Sequence, residues 1–360
     1  MRKAVALGRR AWPRPNPRVG AVLVRDGHIV GRGRHIAAGR DHAEICALKD
    51  AVATAAGSDL YVTLEPCCHY GRTGPCTEAI IAAGVSRVVV GCLDPNPQVA
   101  GGGILALQRA GLAVEAGVLQ FACERLIAGH AKFMRRGLPY VVWKYAMTMD
   151  GKVATAAGES RWITGERARS EVHRLRRTVD AVAVGIGTVL ADDPRLTPRP
   201  AGTGPAPYRL VFDSKARLPL DSALLAEAVG QVVVFVSEDA PAARCRALRD
   251  AGALVIEAGK ARVSAAAALR TAADQLDVRE VLLESGPELS ASFLAEGLVD
   301  EIVCFVSGKL FGGRDAPGPC GGAGIRLPAD APAAKITRMR RFDEDVALYG
   351  LLASEDGKES

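Results

Sequence analysis

The stretch Leu60-Tyr61-Val62-Thr63-Leu64-Glu65-Pro66-Cys67 decides how the amino-terminal half of this chain is read. Residues 60–64 are a β-prone run, which predicts a strand ending before Pro66-Cys67. Downstream, Cys76 opens a helical stretch over 77–83. Upstream lie two short strands, 20–24 and 29–33, flanking Asp26-Gly27, a two-residue hairpin turn. A helix over 41–56 follows them and carries His42-Ala43-Glu44 in its first turn. Beyond Cys76, a strand over 86–92 and a helix over 103–110 complete the order β-β-α-β-α-β-α, a self-sufficient α/β unit closing near residue 120.

His42, Cys67 and Cys76 therefore fall at a helix start, a strand end and a second helix start. Thiolate and imidazole suit zinc, and a catalytic zinc keeps three protein ligands and one open position. The helix dipole at Cys76 favours its thiolate. Glu44 stands two residues from His42, too far round the helix to be an equivalent ligand. It is near enough to exchange protons with water at the open position. This is the His/Cys/Cys-plus-Glu arrangement of zinc nucleobase deaminases, except that eight residues separate the cysteines where two are usual. The plainer reading makes each cysteine a small core residue. That reading suits Cys46, Cys92, Cys123, Cys245 and Cys304, which lie in apolar runs; Cys68 reads as a bystander, because adjacent residues rarely point at one metal.

Residues 121–136 predict a bridging helix, and Arg136-Gly137-Leu138-Pro139 marks a domain boundary. A second alternation follows, with strands expected at 140–145, 181–185, 209–212, 231–236, 253–257, 280–284 and 301–306. Helices are expected at 166–178, 240–251, 263–276 and 287–296, and a long loop over 194–207. The chain has 360 residues, enough for two domains. Its nine cysteines, without an export signal, argue against a disulfide framework. No apolar run approaches the ~20 residues of a membrane span, so a soluble, cytoplasmic protein without a membrane partner is expected. The net charge of +6 permits an anionic ligand without demanding nucleic acid.

Two anion cues lie in the second half. Glu284-Ser285-Gly286-Pro287-Glu288-Leu289-Ser290 reads as strand end, glycine turn and helix start, which can hold a pyrophosphate. Gly185-Ile186-Gly187-Thr188 follows another strand and offers close backbone approach; either could equally be an ordinary turn. Arg174, Arg176 and Arg177 cluster late in the 166–178 helix, where cations also complement the helix dipole.

The residues Pro15-Asn16-Pro17-x-Val19-Gly20-Ala21-Val22, His42-Ala43-Glu44, Thr63-Leu64-Glu65-Pro66-Cys67-Cys68-His69-x-Gly71-Arg72-Thr73 and Asp94-Pro95-Asn96-Pro97-x-Val99-Ala100-Gly101 carry a family resemblance. They resemble the first half of the bifunctional riboflavin-biosynthesis deaminase/reductase, whose cysteines have the eight-residue gap. Lys144-x-Ala146-x-Thr148-x-Asp150-Gly151-Lys152, Ser160-x-Trp162-Ile163-Thr164, Gly187-Thr188-Val189-x-Ala191-Asp192-Asp193-Pro194 and Glu284-Ser285-Gly286-Pro287 resemble its reductase half, similar in fold to dihydrofolate reductase. Cys68, Gly74, Ile127 and Gly308 stand where that family usually has Ser, Pro, Asn and Pro.

The resemblance implies two three-layer α/β/α domains: a cytidine-deaminase-like zinc domain over 1–138 and a dihydrofolate-reductase-like NADPH domain over 139–360. It implies hydrolytic deamination of 2,5-diamino-6-ribosylamino-4(3H)-pyrimidinone 5′-phosphate, then reduction of the ribosyl to a ribityl chain. Asn16, His69 and Arg72 would face that substrate in the first domain. In the second, Ser160, Arg176, Leu196, Arg199 and Glu284 would meet the substrate. The cofactor would lie against Ala146, Trp162, Thr188, Asp192, Ser214, Gly286, Pro287, Glu288, Leu289, Ser290, Ala291 and Ser292. A homo-oligomer is also implied. Two rival classes share the first motif: a deaminase of another nucleotide or of tRNA, and a zinc-stabilised binding module. The first would want basic and aromatic surfaces for splayed bases, which 5% aromatics do not favour. The second would need a fourth protein ligand.

Overall fold

The computed structural model describes residues 1–70, 74–97, 99–201, 204–227 and 229–353. The chain divides into two compact units, Met1–Gly137 and Leu138–Ser360. The first runs α1 (Arg2–Gly8), β1 (Gly20–Arg25), β2 (His28–Arg34), α2 (Ala43–Ala51), β3 (Asp59–Leu64), α3 (Cys76–Ala82), β4 (Arg87–Cys92), α4 (Gly102–Arg109), β5 (Ala113–Ala116), α5 (Gln120–Glu124) and α6 (Ala128–Arg136). Its five strands lie in the order β2-β1-β3-β4-β5. β1 is antiparallel to β2 and β3, and β3, β4 and β5 are parallel.

Glycines let helices approach both faces of this sheet. A Cβ on Gly20 would stand 2.1 Å from the Ala4 carbonyl oxygen of α1, and one on Gly91 would stand 2.3 Å from Cys123 Sγ of α5. On the opposite face, Gly31 and Gly33 press against α2. The unit is thus three layers, with Ala21, Leu23, Leu60, Val62 and Val90 in its core.

The second unit runs β6 (Tyr140–Thr148), α7 (Glu166–Arg176), β7 (Ala181–Gly185), α8 (Ile186–Asp192), β8 (Tyr208–Phe212), α9 (Ala223–Ala226), β9 (Val232–Val236), α10 (Ala242–Asp250), β10 (Leu254–Glu257), α11 (Ala265–Gln275), β11 (Glu280–Leu283), α12 (Pro287–Ala295), β12 (Glu301–Ser307), β13 (Ala334–Phe342) and β14 (Asp345–Leu352). The nine strands are ordered β10-β9-β8-β7-β11-β6-β12-β14-β13. All pairs from β10 to β12 are parallel; β14 is antiparallel to β12 and β13. Val182, Val184, Val232 and Val234 belong to one core, and Ala181, Ala183, Val233 and Phe235 to the other. A sheet buried on both faces needs such uninterrupted apolar strands.

Several elements differ from the sequence expectation. Helix α2 begins at Ala43, so His42 is its N-cap, with extended backbone, rather than a residue of its first turn. The helix also ends at Ala51, followed by a short 3₁₀ turn. The expected single helix over 121–136 is broken into α5 and α6, because the chain turns there to bury Leu126 and Ile127 in the core while Cys123 faces β4. Cys46, expected in the core, is only half-buried, and its thiol donates to the Asp41 carbonyl. Strand β5, helices α1, α8 and α9, and the β13–β14 hairpin were not legible as elements. Among the described residues, no helix is long and apolar enough to cross a membrane.

Candidate active sites

The first unit gathers its chemistry where β3 ends. The N-cap position of α2 presents His42, the loop after β3 presents Cys67, and the first residue of α3 is Cys76. His42 Nδ1 lies 3.2 Å from Cys76 Sγ and 3.5 Å from Cys67 Sγ. The three ligand atoms all lie within 4.8 Å of one another, and among the described residues no fourth His, Cys, Asp or Glu joins them. One imidazole nitrogen and two sulfurs converging in this way fit a tetrahedral zinc with one position left open. Backbone bonds hold the two cysteines: the Cys76 N–H donates to Cys67 Sγ at 3.4 Å, and the Thr77 N–H to the Cys67 carbonyl at 3.2 Å.

The electrostatics suit that use. The Cys76 thiol bonded to it holds Cys67 far below the ordinary thiol range, while the same contact and burial push Cys76 up. Glu44, 4% exposed, lies against Cys76, and burial raises its carboxyl to about 7. Cys68 turns the other way: a Cβ on Gly102 of α4 would stand 3.0 Å from its Sγ.

Asn16 is linked to this group through a residue the sequence did not flag. Asn16 Nδ2 lies 2.9 Å from His35 Nε2, and His35 Nδ1 3.0 Å from the Asp41 carbonyl, so His35 bearing its proton on Nδ1 satisfies both contacts. The buried His35 ring meets His42 edge to face at 5.2 Å. His35 directly follows β2, seven residues before His42, without any motif spacing to mark it. His69 is exposed and near enough to Asp94 to lower that carboxyl, which burial raises more strongly. Arg72 lies outside the described residues.

In the second unit, Arg176 at the end of α7 grips Glu284, which follows β11, through Nε at 2.6 Å and Nη2 at 3.0 Å. Lys144 Nζ on β6 stands 3.6 Å from the same carboxylate. Burial pushes Glu284 up, but Arg176 and Lys144 outweigh it and hold the carboxyl near about 2. Burial also pushes Lys144 down, more than Glu284 raises it. Lys144 appears in the family motif but had no role assigned from sequence.

Around this group, Arg176 Nη1 reaches the Thr197 carbonyl at 3.2 Å, and the Arg199 N–H donates to His173 Nδ1 at 3.3 Å. Leu196 is 2% exposed. Ser160 Oγ donates to Asp192 Oδ1 at 3.0 Å. The Gly286 N–H donates to Thr188 Oγ1 at 3.1 Å, joining the two glycine turns that the sequence offered separately. Gly286 caps α12 without a side-chain acceptor, Pro287 is its first residue, and Leu289 lies beside Gly185. Among the described residues no side chain caps the first N–H groups of this nine-residue helix, so they can take a pyrophosphate.

Ser290 Oγ instead bonds Ser285 Oγ at 2.8 Å, and Ser292 Oγ the Glu288 carbonyl. Ala291 and Glu288 lie beside Gly322 and Gly321. Ala146 pairs with Phe305 on the neighbouring strand. Trp162 is 58% exposed with Arg169 over its ring at 4.5 Å. Ser214 is engaged by Val263 and Ser237.

Comparison with known proteins bears on both units. The cytidine and deoxycytidylate deaminase zinc-binding region matches residues 1–92, and the RibD C-terminal domain matches residues 139–348. The riboflavin biosynthesis protein RibD of Actinobacillus pleuropneumoniae is 40% identical, over 97% of this chain and 93% of its own length. The solved structure of Acinetobacter baumannii RibD is 38% identical with a TM-score of 0.85, covering 98% of both chains. A Thermotoga maritima diaminohydroxyphosphoribosylaminopyrimidine deaminase/5-amino-6-(5-phosphoribosylamino)uracil reductase is 33% identical with a TM-score of 0.83, over 98% of this chain and 97% of that one. With both signatures in order and relatives matched from end to end, this chain belongs to the RibD family of bifunctional riboflavin-biosynthesis deaminase/reductases.

Proposed function

We propose that residues 1–138 are the deaminase and 139–360 the reductase of one enzyme, with His42, Cys67 and Cys76 holding zinc and Glu44 carrying protons. The observation that carries this reading is the convergence of one imidazole nitrogen and two sulfurs beside a buried carboxylate. Zinc, when bound, supplies a water acidic enough to attack at neutral pH. The buried Glu44 carboxyl, in contact with Cys76, would take a proton from that water and return it to departing ammonia. Asn16, oriented by His35, and His69 and Arg72 are assigned to the pyrimidine and its phosphate.

NADPH, when bound in the second unit, supplies the hydride that opens the ribosyl ring at C1. The turn that opens α12, from Gly286 to Ser292, would hold its pyrophosphate, with Ala146, Trp162, Thr188, Asp192 and Ser214 along the rest. Glu284, kept ionised by Arg176 and Lys144, is an acceptor-only group suited to ribose hydroxyls. Ser160, Leu196 and Arg199 complete the substrate contacts. The substrate is thus a phosphorylated pyrimidine rather than nucleic acid. A homo-oligomer and a cytoplasmic address belong to the same proposal, the former tested by light scattering.

The purified protein is given the diaminopyrimidine ribosyl phosphate with NADPH. Ammonia release accompanied by loss of nicotinamide absorbance is expected. Ammonia alone would overturn the reductase assignment, and no change in either would overturn both.

A further inference from the structure

Glu65, two residues before Cys67, is 2% exposed and makes contacts that zinc chemistry does not call for. Its Oε2 accepts the N–H groups of Asp94 at 3.2 Å and Gly101 at 2.9 Å. Its Oε1 accepts those of Gly103 at 2.9 Å and Ile104 at 3.2 Å. The Asp94–Gly101 contacts close the loop between β4 and α4 like a clasp. The Gly103 and Ile104 contacts cap α4, whose N-cap residue is glycine and has no side chain to do so. The Glu65 N–H itself is held by the Cys92 carbonyl at 3.0 Å.

The packing around this carboxylate is equally tight. A Cβ on Gly103 would stand 2.0 Å from the Pro66 carbonyl oxygen and 3.1 Å from Glu65 Cγ. The first turn of α4 therefore sits directly on the peptide that precedes Cys67. On its other side, Cys67 is bonded to α3 through the Cys76 and Thr77 N–H groups.

We propose that Glu65 is a positioning residue for the deaminase: its carboxylate fixes Cys67, and the Asp94 loop near His69, against the N-terminus of α4. The inference rests on reading Cys67 as a zinc ligand. A carboxylate is required because two oxygens serve four donors; a carboxamide offers one acceptor oxygen and turns an NH₂ toward the remaining N–H groups.

The test uses the full chain. Metal analysis of the wild type comes first: absence of bound zinc would defeat the ligand reading itself, before any variant is made. Glu65→Gln is expected to weaken zinc binding about 10- to 100-fold in a chelator competition, the range seen for residues that orient metal ligands. The visible absorption of the cobalt-substituted protein is expected to shift, while NADPH-dependent reduction of the deaminated substrate stays at the wild-type rate. Unchanged zinc affinity with an unchanged cobalt spectrum would overturn the proposal. Should Glu65→Gln fail to fold its first unit, Gly103→Ala presses the same joint from the α4 side and is expected to shift the cobalt spectrum likewise; an unshifted spectrum there overturns it. If neither variant folds that unit, Glu65 serves folding rather than positioning, and the proposal fails.

Discussion

Gly33 on β2 and Ala43 at the start of α2 approach so closely that a Cβ on the glycine would stand 1.9 Å from the Ala43 carbonyl oxygen. The same β-carbon would meet the Ala47 N–H nitrogen at 2.5 Å, so backbone on both sides leaves no side chain free to yield. This contact sets the height of α2 above the sheet, and with it the His42 N-cap.

Gly33→Ala is accordingly expected to destabilise the first unit by about 3 kcal/mol, the upper end of ordinary overpacking. Zinc content and deamination fall with it, and the reductase continues. Thermal melts with parallel assays of both activities check this, and an unchanged melt would show that α2 can lift without cost.

Glu44→Ala is expected to leave zinc bound and to lower ammonia release by about 10² to 10⁴, the usual contribution of a placed proton carrier. Chelation of zinc from the wild type should stop deamination and spare reduction. Metal analysis beside both assays separates these outcomes. Joint loss of zinc and of folding in Glu44→Ala would instead make the centre a structural one.

Arg176→Ala removes the two-pronged partner of a carboxylate whose side chain is 10% exposed, leaving Lys144 at 3.6 Å and the more distant His173. Breaking a buried pair in this way costs about 3 kcal/mol. Arg176→Lys should recover part of it, because charge returns without the fork. Urea midpoints of the three proteins, with the KM for the ribosyl phosphate, provide the measurement.

The same carboxylate predicts an acid limit. Its folded pKa near about 2 lies below the ordinary value of 4.5. A depressed carboxyl contributes stability that is full above 4.5 and is lost as pH falls toward about 2, because the unfolded chain then binds the proton first. Urea unfolding of the wild type should therefore weaken between pH ~5 and ~2 more steeply than that of Glu284→Gln. Parallel slopes would show that the pair does not hold the carboxyl down.

The His42, Cys67 and Cys76 group was legible because metal chemistry restricts residue type as well as place: His and Cys at a strand end and two helix starts, with a Glu nearby, are an uncommon set. Glu65 stood in the same quoted stretch yet gave no signal. Its four partners are backbone N–H groups 29 to 39 residues away, and a backbone N–H has no letter in a sequence. Arg176 and Glu284 each had a reading, but not as partners, since 108 residues separate them. The β13 strand escaped because it is exposed along most of its length, with Arg338, Arg340 and Arg341 interrupting the alternation that marks a half-buried strand.

The amino-acid sequence by itself determined the α/β class, the turn at Gly137, the His42, Cys67 and Cys76 set with Glu44 beside it, and the glycine turns at Gly187 and Gly286. Each follows from local propensity or from chemistry that demands particular side chains. Only the tertiary structure decided that His42 is a cap rather than a helical residue, that Gly286 and Thr188 join two turns into one, and that Glu65, two residues before Cys67, is bonded to the first turn of α4. Those relations depend on how closely one backbone approaches another, a distance fixed by packing across the sheet rather than by neighbours along the chain.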